Sequence, residues 1–187
     1  VDVGATRTMI ALLGEEGSEI LAYERPDTAV FFPTWRPPGA ALADAVQLFL
    51  THHEVSLEEV LGIGVGIPGL VDRSKGHVLS CPNLPLLNDS RLAPEAEARL
   101  GTRVVVANNT NLIALGEQTA GIGQGVQDMA VIFVGSGVGC GLILNGRLYE
   151  GADGLASEFG HTIVVPNGLS RAARSTSGST TPPQGRA

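Results

Sequence analysis

The sequence predicts a layered α/β fold, and three observations carry that expectation. The chain holds 25 glycines but only one Trp, two Tyr and five Phe. That composition suits many short elements joined by tight turns better than a helical bundle. The run LGIGVGIPGLVD, Leu61 to Asp72, is apolar on both faces and ends in a Pro-Gly turn, the pattern of a central strand covered by helices on each side. Beyond it helices and strands alternate, the rhythm of a parallel or mixed sheet.

The elements follow in order. Val1, Val3 and the run Met9 to Leu13 flank the polar insert Gly4 to Thr8, and a turn over 14–18 precedes the run Glu19 to Tyr23. This reads as a glycine-interrupted β-hairpin. Residues 26–39 carry Pro26, Pro33, Pro37 and Pro38 and are expected to be loop. Leu42, Ala45, Val46 and Phe49 recur at helical spacing between Ala40 and His53 and give one apolar face. After the Leu61 strand come a polar hairpin, DRSKGHVLS, a short helix at Leu92 to Leu100, a buried strand at Arg103 to Ala107, and a helix from Asn109 closed by Gly121. Two apolar runs between Val131 and Leu144 surround VGSGVGCG, and Asn145-Gly146 turns the chain into Arg147 to Tyr149. That second half begins a fresh sheet. The expected organisation is an N-terminal α/β domain over 1–108, the start of a second α/β domain over 109–166, and a polar, disordered tail over 167–187.

With 43% hydrophobic residues and a mean hydropathy of +0.19, 187 residues are enough to bury a core. Twelve basic against 19 acidic residues leave a net charge of -7, which repels phosphate backbones and makes this stretch a poor grip for DNA or an anionic membrane. Cys81 and Cys140 form neither a disulfide framework nor a zinc cluster, as suits a reducing interior. With no apolar run long enough to span a bilayer and no signal-peptide pattern, the expected home is the cytoplasm. The chain opens on Val1 inside a strand pattern, which suggests missing upstream sequence.

Four stretches carry candidate chemistry. In DVGATRT, Asp2, Gly4 and Thr6 would set backbone amides and a hydroxyl around a phosphate, with Asp2 near its metal. An ordinary hairpin explains the same residues. In GSGVGCG, Gly135, Gly137 and Gly139 strip side chains from one face of a turn so that amides approach an anion or a sugar ring. Strand follows the glycines, so a dinucleotide-binding turn is a poor match, and a bulged hairpin is the alternative. In ASEFGH, Glu158 and His161 stand three residues apart and would share one ligand, unless a solvated carboxylate merely sits beside a packed imidazole. In VVVANNTNLIALGE, Asn108 and Asn109 stand where a buried strand meets a helix. An N-cap accounts for one asparagine more easily than for both.

Taken in order, these stretches resemble the ROK family of bacterial sugar kinases and sugar-responsive repressors. DVGATRT is similar to its first phosphate motif and GIGVGIPGLVD to its Pro-Gly strand turn. CPNLPLLN is similar to its Asn-Leu-Pro segment, and the likeness runs on through ANNTNLIALGE, VGSGVGCGLILNGRLYEGADG and ASEFGH to about Pro166. The resemblance implies an actin-like, ribonuclease-H-like fold of two α/β domains, the second incomplete here, with sugar and nucleotide meeting between them. It places Asp2, Gly4, Thr6, Gly135, Gly137 and Gly139 at nucleotide-phosphate positions, and Gly66, Asn108, Asn109, Glu158 and His161 at sugar-binding ones.

Three departures shape the expected function. In the family's kinases the position of Asn109 is an Asp that takes the proton of the attacking sugar hydroxyl. An amide is no general base near neutral pH, so no catalytic residue is intact, whereas sugar binding survives. His161 lacks the three following cysteines that complete a structural zinc in the family, so zinc is expected to be absent. The polar tail from about Leu169 replaces the family's remaining half and looks like a truncation or frameshift. The leading expectation is the sugar-binding effector region of a ROK-type repressor, whose operator DNA is held by an upstream domain outside this chain, with a homodimer as the assembly. An ATP- and Mg²⁺-dependent hexose kinase is the second. A fragment that exposes apolar surface and self-associates is the third.

Overall fold

The computed structural model describes residues 1–162 apart from Glu16, Ser18, Ser136, Asp153, Leu155 and Ser157, and for His161 the backbone alone. The polar tail expected over 167–187 lies outside the described residues.

Strands β1 (Asp2–Val3), β2 (Thr8–Leu13) and β3 (Ile20–Glu24) form an antiparallel meander, the expected glycine-interrupted hairpin. The chain then crosses by two helices, α1 (Thr28–Phe31) and α2 (Pro38–His52), to β4 (Ile63–Ile67), which lies parallel to β1. A small antiparallel hairpin, β5 (Leu70–Asp72) with β6 (His77–Ser80), leads to helix α3 (Leu92–Leu100) and to β7 (Val104–Asn108), parallel to β4 over five residue pairs. The resulting five-stranded sheet has the order β3-β2-β1-β4-β7. Its mixed pairing matches the alternation of strand and helix read from the sequence.

The core lies where α2 and α3 cover this sheet. Val3, Val65, Ile67 and Val106 supply its strand side and Leu42, Phe49 and Leu92 its helix side, all of them buried. Full burial of such side chains contributes roughly 1.5–3 kcal/mol each. The proline-rich stretch 26–39 departs from the expected loop in two places. Helix α2 starts two residues early, at Pro38, where a proline's fixed φ suits the first helical turn and no N–H is lost. Helix α1 is a single turn between Pro26 and Pro33, and it forms because Phe31 and Phe32 turn inward, their ring centroids 4.9 Å apart.

Helix α4 (Asn109–Ala120) leaves the end of β7 and ends at Gly121, whose backbone is extended. A second sheet follows, β8 (Met129–Val134), β9 (Val138–Leu144) and β10 (Arg147–Leu148), in the order β10-β9-β8. Asn145 and Gly146, with φ of 51° and 72°, make the two-residue loop between β9 and β10, as expected for an Asn-Gly pair. One face of this sheet packs on α4 through Gly139, Gly141 and Ile143. The residues alternating with them point away, and Ile132, Val134, Val138 and Leu144 are exposed, Val134 by 74%. A face of this kind binds apolar dyes and promotes association. Adding Ile132→Lys and Val134→Lys together is expected to lower both the dye fluorescence and the light scattering of concentrated protein. Unchanged scattering would mean that association arises elsewhere.

Candidate functional site

The parallel strands β1, β4 and β7 all end at one edge of the main sheet, and open α/β sheets bind ligands outside such carboxyl ends. Register places the pieces. Asp2 pairs with Gly66, Gly66 with Ala107, and Ile67 with Asn108. The turn after β1, the Pro68-Gly69 turn after β4 and the Asn108-Asn109 junction after β7 therefore gather at that edge. Five sequence-stated positions, Asp2, Gly4, Gly66, Asn108 and Asn109, fall there together.

Asn108 is the N-cap of α4. Its Oδ1 accepts from the amides of Thr110 at 2.9 Å and Asn111 at 3.3 Å, and its Nδ2 donates to the Gly69 carbonyl at 3.0 Å. The capping alternative thus holds for Asn108. Asn109, the first helical residue, is half-buried, and its Oδ1 faces the Thr110 hydroxyl at 3.5 Å. It stands beside Gly66, where an added Cβ would lie 3.5 Å from the Asn109 Cα and 3.1 Å from Leu112. Glycine at 66 lets α4 begin close to the sheet.

A cavity of about 30 Å³ opens between the two sheets. Gly69, Leu70, Asn108, Thr110 and Asn111 line one wall, and Val138, Gly139, Cys140, Gly154, Ala156 and Glu158 line the other. Room for about two waters is not room for a hexose, so a sugar enters only if the walls separate. Outside the lining, Arg73 Nη1 donates to Glu150 Oε2 at 2.7 Å and joins the β5–β6 hairpin to the segment after β10. Burial pushes the Cys140 thiol above its ordinary pKa, so it is neutral at pH 7. Glu158 reaches the cavity from just before the turn Phe159–His161. The second partner expected for that ligand, the His161 side chain, lies outside the described residues.

The phosphate-type stretches are arranged differently from the expectation. The Gly4 amide donates to the Arg7 carbonyl at 3.0 Å, which commits it to closing its own turn. Thr6 and Asp2 keep exposed side chains on that hairpin. Beneath it stands Thr28, a residue placed in plain loop by sequence reasoning. Its hydroxyl donates to the Gly4 carbonyl at 2.8 Å and meets the Thr8 hydroxyl at 3.0 Å, while its amide donates to the Thr6 carbonyl at 2.9 Å. A polar side chain at the head of the apolar run Ala29 to Phe32 is the one signal that could have marked it.

The glycine run is the tip and one arm of the β8–β9 hairpin, whose paired residues run in regular register and not with the bulge expected of the alternative. Gly135 and Gly137 sit at the tip. Gly139 and Gly141 instead face α4, where an added Cβ would collide with the Thr110 hydroxyl and lie 2.6 Å from the Thr110 carbonyl, respectively. Close helix packing is thus what removes the side chain at Gly139. Among the described residues no group of three metal-ligating side chains converges, and no helix is long and apolar enough to cross a membrane.

The ROK family model matches residues 1–173. A glucokinase of Halalkalibacterium halodurans is 35% identical over 173 residues, which are 90% of this chain and 50% of that protein. The structure of a ROK family glucokinase from Streptomyces griseus with glucose and AMPPNP superposes with a TM-score of 0.73 at 34% identity, covering 90% of this chain and 51% of the other. That of a ROK family transcriptional regulator, a homologue of the Escherichia coli MLC protein, superposes with a TM-score of 0.77 at 29% identity, covering 90% and 41%. The chain thus spans about half the length of the curated relatives it matches, and the fold is that part of the actin-like sugar-kinase architecture. Kinases and transcriptional regulators both stand among its relatives. By the span of the family match and the shared architecture, the chain belongs to the ROK family.

Proposed function

We propose that this chain is the sugar-binding effector region of a ROK-type transcriptional regulator. The observation that carries the reading is Asn109: an amide occupies the first position of α4, at the carboxyl edge of the parallel strands, where the resemblance to the family's kinases expects a carboxylate. An amide donates to and accepts from hydroxyls, so it suits polyol recognition, yet it cannot take a proton at neutral pH. Gly66 would give it room beside the cavity, which Asn108 and Glu158 line, and Glu158 and His161 would be further sugar contacts. Binding that separates the walls would shift the two sheets against each other and bias an attached DNA-binding state. Operator DNA would be held outside this acidic chain, and we assign the protein to the cytoplasm as a homodimer. Structural zinc is not part of the reading, because one imidazole with no cysteine after it in the sequence is too small a donor set.

The kinase reading is favoured by one observation, the 35% identity to a glucokinase over 90% of this chain, against 29% for the regulator structure over the same share. ATP would supply the phosphoryl group in that case. The site fits it in part: Asp2 and Thr6 expose a carboxylate and a hydroxyl for a magnesium-bound phosphate chain, whereas the Gly4 amide is already committed. Coupled assays of ATP consumption across common hexoses, with calorimetric titration of the same sugars, separate the two. Sugar binding without turnover supports the sensor, and turnover at ordinary kinase rates ends it.

A further inference from the structure

We infer that Asn108 is a positioning residue that ties the turn after β4 to the start of α4 within one wall of the cleft and leaves the ligand a single hydrogen-bond donor. This rests on the sugar-binding reading for its ligand, but not for its geometry. A carboxamide has two N–H donors and two acceptor lone pairs. Both lone pairs of Asn108 Oδ1 are taken, by the amides of Thr110 and Asn111. One Nδ2 hydrogen is taken by the Gly69 carbonyl. The oxygen and nitrogen are assigned by this network, since the flipped amide would set donors against two amides and an oxygen against a carbonyl. What remains for the cavity that Asn108 lines is one N–H. It meets an acceptor oxygen and offers nothing to a donor.

The tie has something firm to hold. An added Cβ at Gly69 would collide with the Ser80 carbonyl and lie 3.1 Å from the Cys81 Cα, so the turn is pressed against the end of β6. The Cys81 thiol donates to the Pro68 carbonyl at 3.6 Å, and the Cys81 amide donates to Asn88 Oδ1 at 2.6 Å. Consecutive carbonyls of the Pro68-Gly69 turn are therefore claimed by two different segments, through Cys81 and through Asn108. Since the same Asn108 oxygen caps α4, one side chain fixes the turn after β4 relative to the helix start that carries Asn109. A hydroxyl held at Asn109 depends on that spacing.

Asn108→Ser separates the two duties, because a serine still caps a helix but does not reach the turn. Glucose serves as the probe. The variant is expected to melt within a few degrees of the parent and to bind glucose about three- to tenfold more weakly, the worth of one neutral hydrogen bond. Hydrogen exchange of the segment 66–72 is expected to accelerate in the variant, a readout independent of any sugar. Asn108→Asp adds a pH profile: its carboxyl can donate to the Gly69 carbonyl only when protonated, so glucose affinity should rise as pH falls through the carboxyl's titration. Because Glu158 lines the same cavity in both proteins, the readout is the difference between variant and parent. Unchanged exchange over 66–72 in Asn108→Ser, or glucose affinity equal to the parent's in both variants, overturns the inference. A parent that binds no sugar overturns the proposed function, while the exchange arm still decides the tie.

Discussion

Asn109→Asp is expected to raise ATP-dependent phosphorylation of glucose by about 10²- to 10⁴-fold over whatever trace the unaltered chain supports, the usual worth of a positioned general base. The structure gives the substitution a favourable setting. Position 109 opens α4, so a carboxylate there meets the positive end of the helix and gains about 0.3–1 kcal/mol of stability. The same field holds the carboxyl ionised at neutral pH, the form a base requires, though it also weakens its basicity. Asn109 and Asp are nearly isosteric, so the neighbouring Gly66 and Leu112 need not move. Rate and melting temperature should therefore rise together, which is uncommon for an active-site change. An unaltered chain that already phosphorylates glucose at a kinase's pace would contradict the role given to Asn109. A variant that stays as inert as its parent would show that the missing carboxylate is not what separates this chain from the kinases.

The parts of the fold legible in the sequence were those written in periodicity. The two-sided apolar run over Leu61 to Asp72, the helical spacing of Leu42, Val46 and Phe49, and the strand-to-helix junction at Asn108 each have one reading, and the structure follows it. What was hidden depends on direction and not on pattern. A glycine that admits an anion and a glycine that admits a helix look alike in a string, and only the packing of α4 on β9 separates Gly139 from Gly135. The Gly4 amide could not be known to be committed to Arg7 before the turn was drawn. Thr28 lay 24 residues from the carbonyl it supports, in a proline-rich stretch whose inward-facing phenylalanines do not alternate with either regular period. The twin asparagines were legible as a pair. Which of them caps the helix was a matter of geometry alone.

The second large effect is a loss. Gly141→Ala is expected to destabilise the chain by about 1–3 kcal/mol, as overpacking does, and to lower its melting temperature by several degrees. The added methyl would lie 2.6 Å from the Thr110 carbonyl and 2.7 Å from the Ala114 Cβ, and neither is the far end of a flexible side chain that could swing aside. Relief requires α4 to lift from β9, and that motion cannot stay local. Thr110 donates its amide to Asn108, and Asn108 holds the Pro68-Gly69 turn, so a displaced α4 disturbs the cavity wall that Gly69, Asn108 and Thr110 line. Glucose affinity should therefore fall along with stability, although residue 141 itself does not line the cavity. Gly116→Ala on the exposed side of the same helix supplies the contrast. Nothing lies within 4 Å of its added Cβ, so it should raise stability by roughly 0.5–1 kcal/mol and leave sugar binding unchanged. Melting curves and calorimetric titrations of the two variants check the pair. A Gly141→Ala protein as stable as the parent would mean that α4 does not pack on the second sheet as closely as the structure has it.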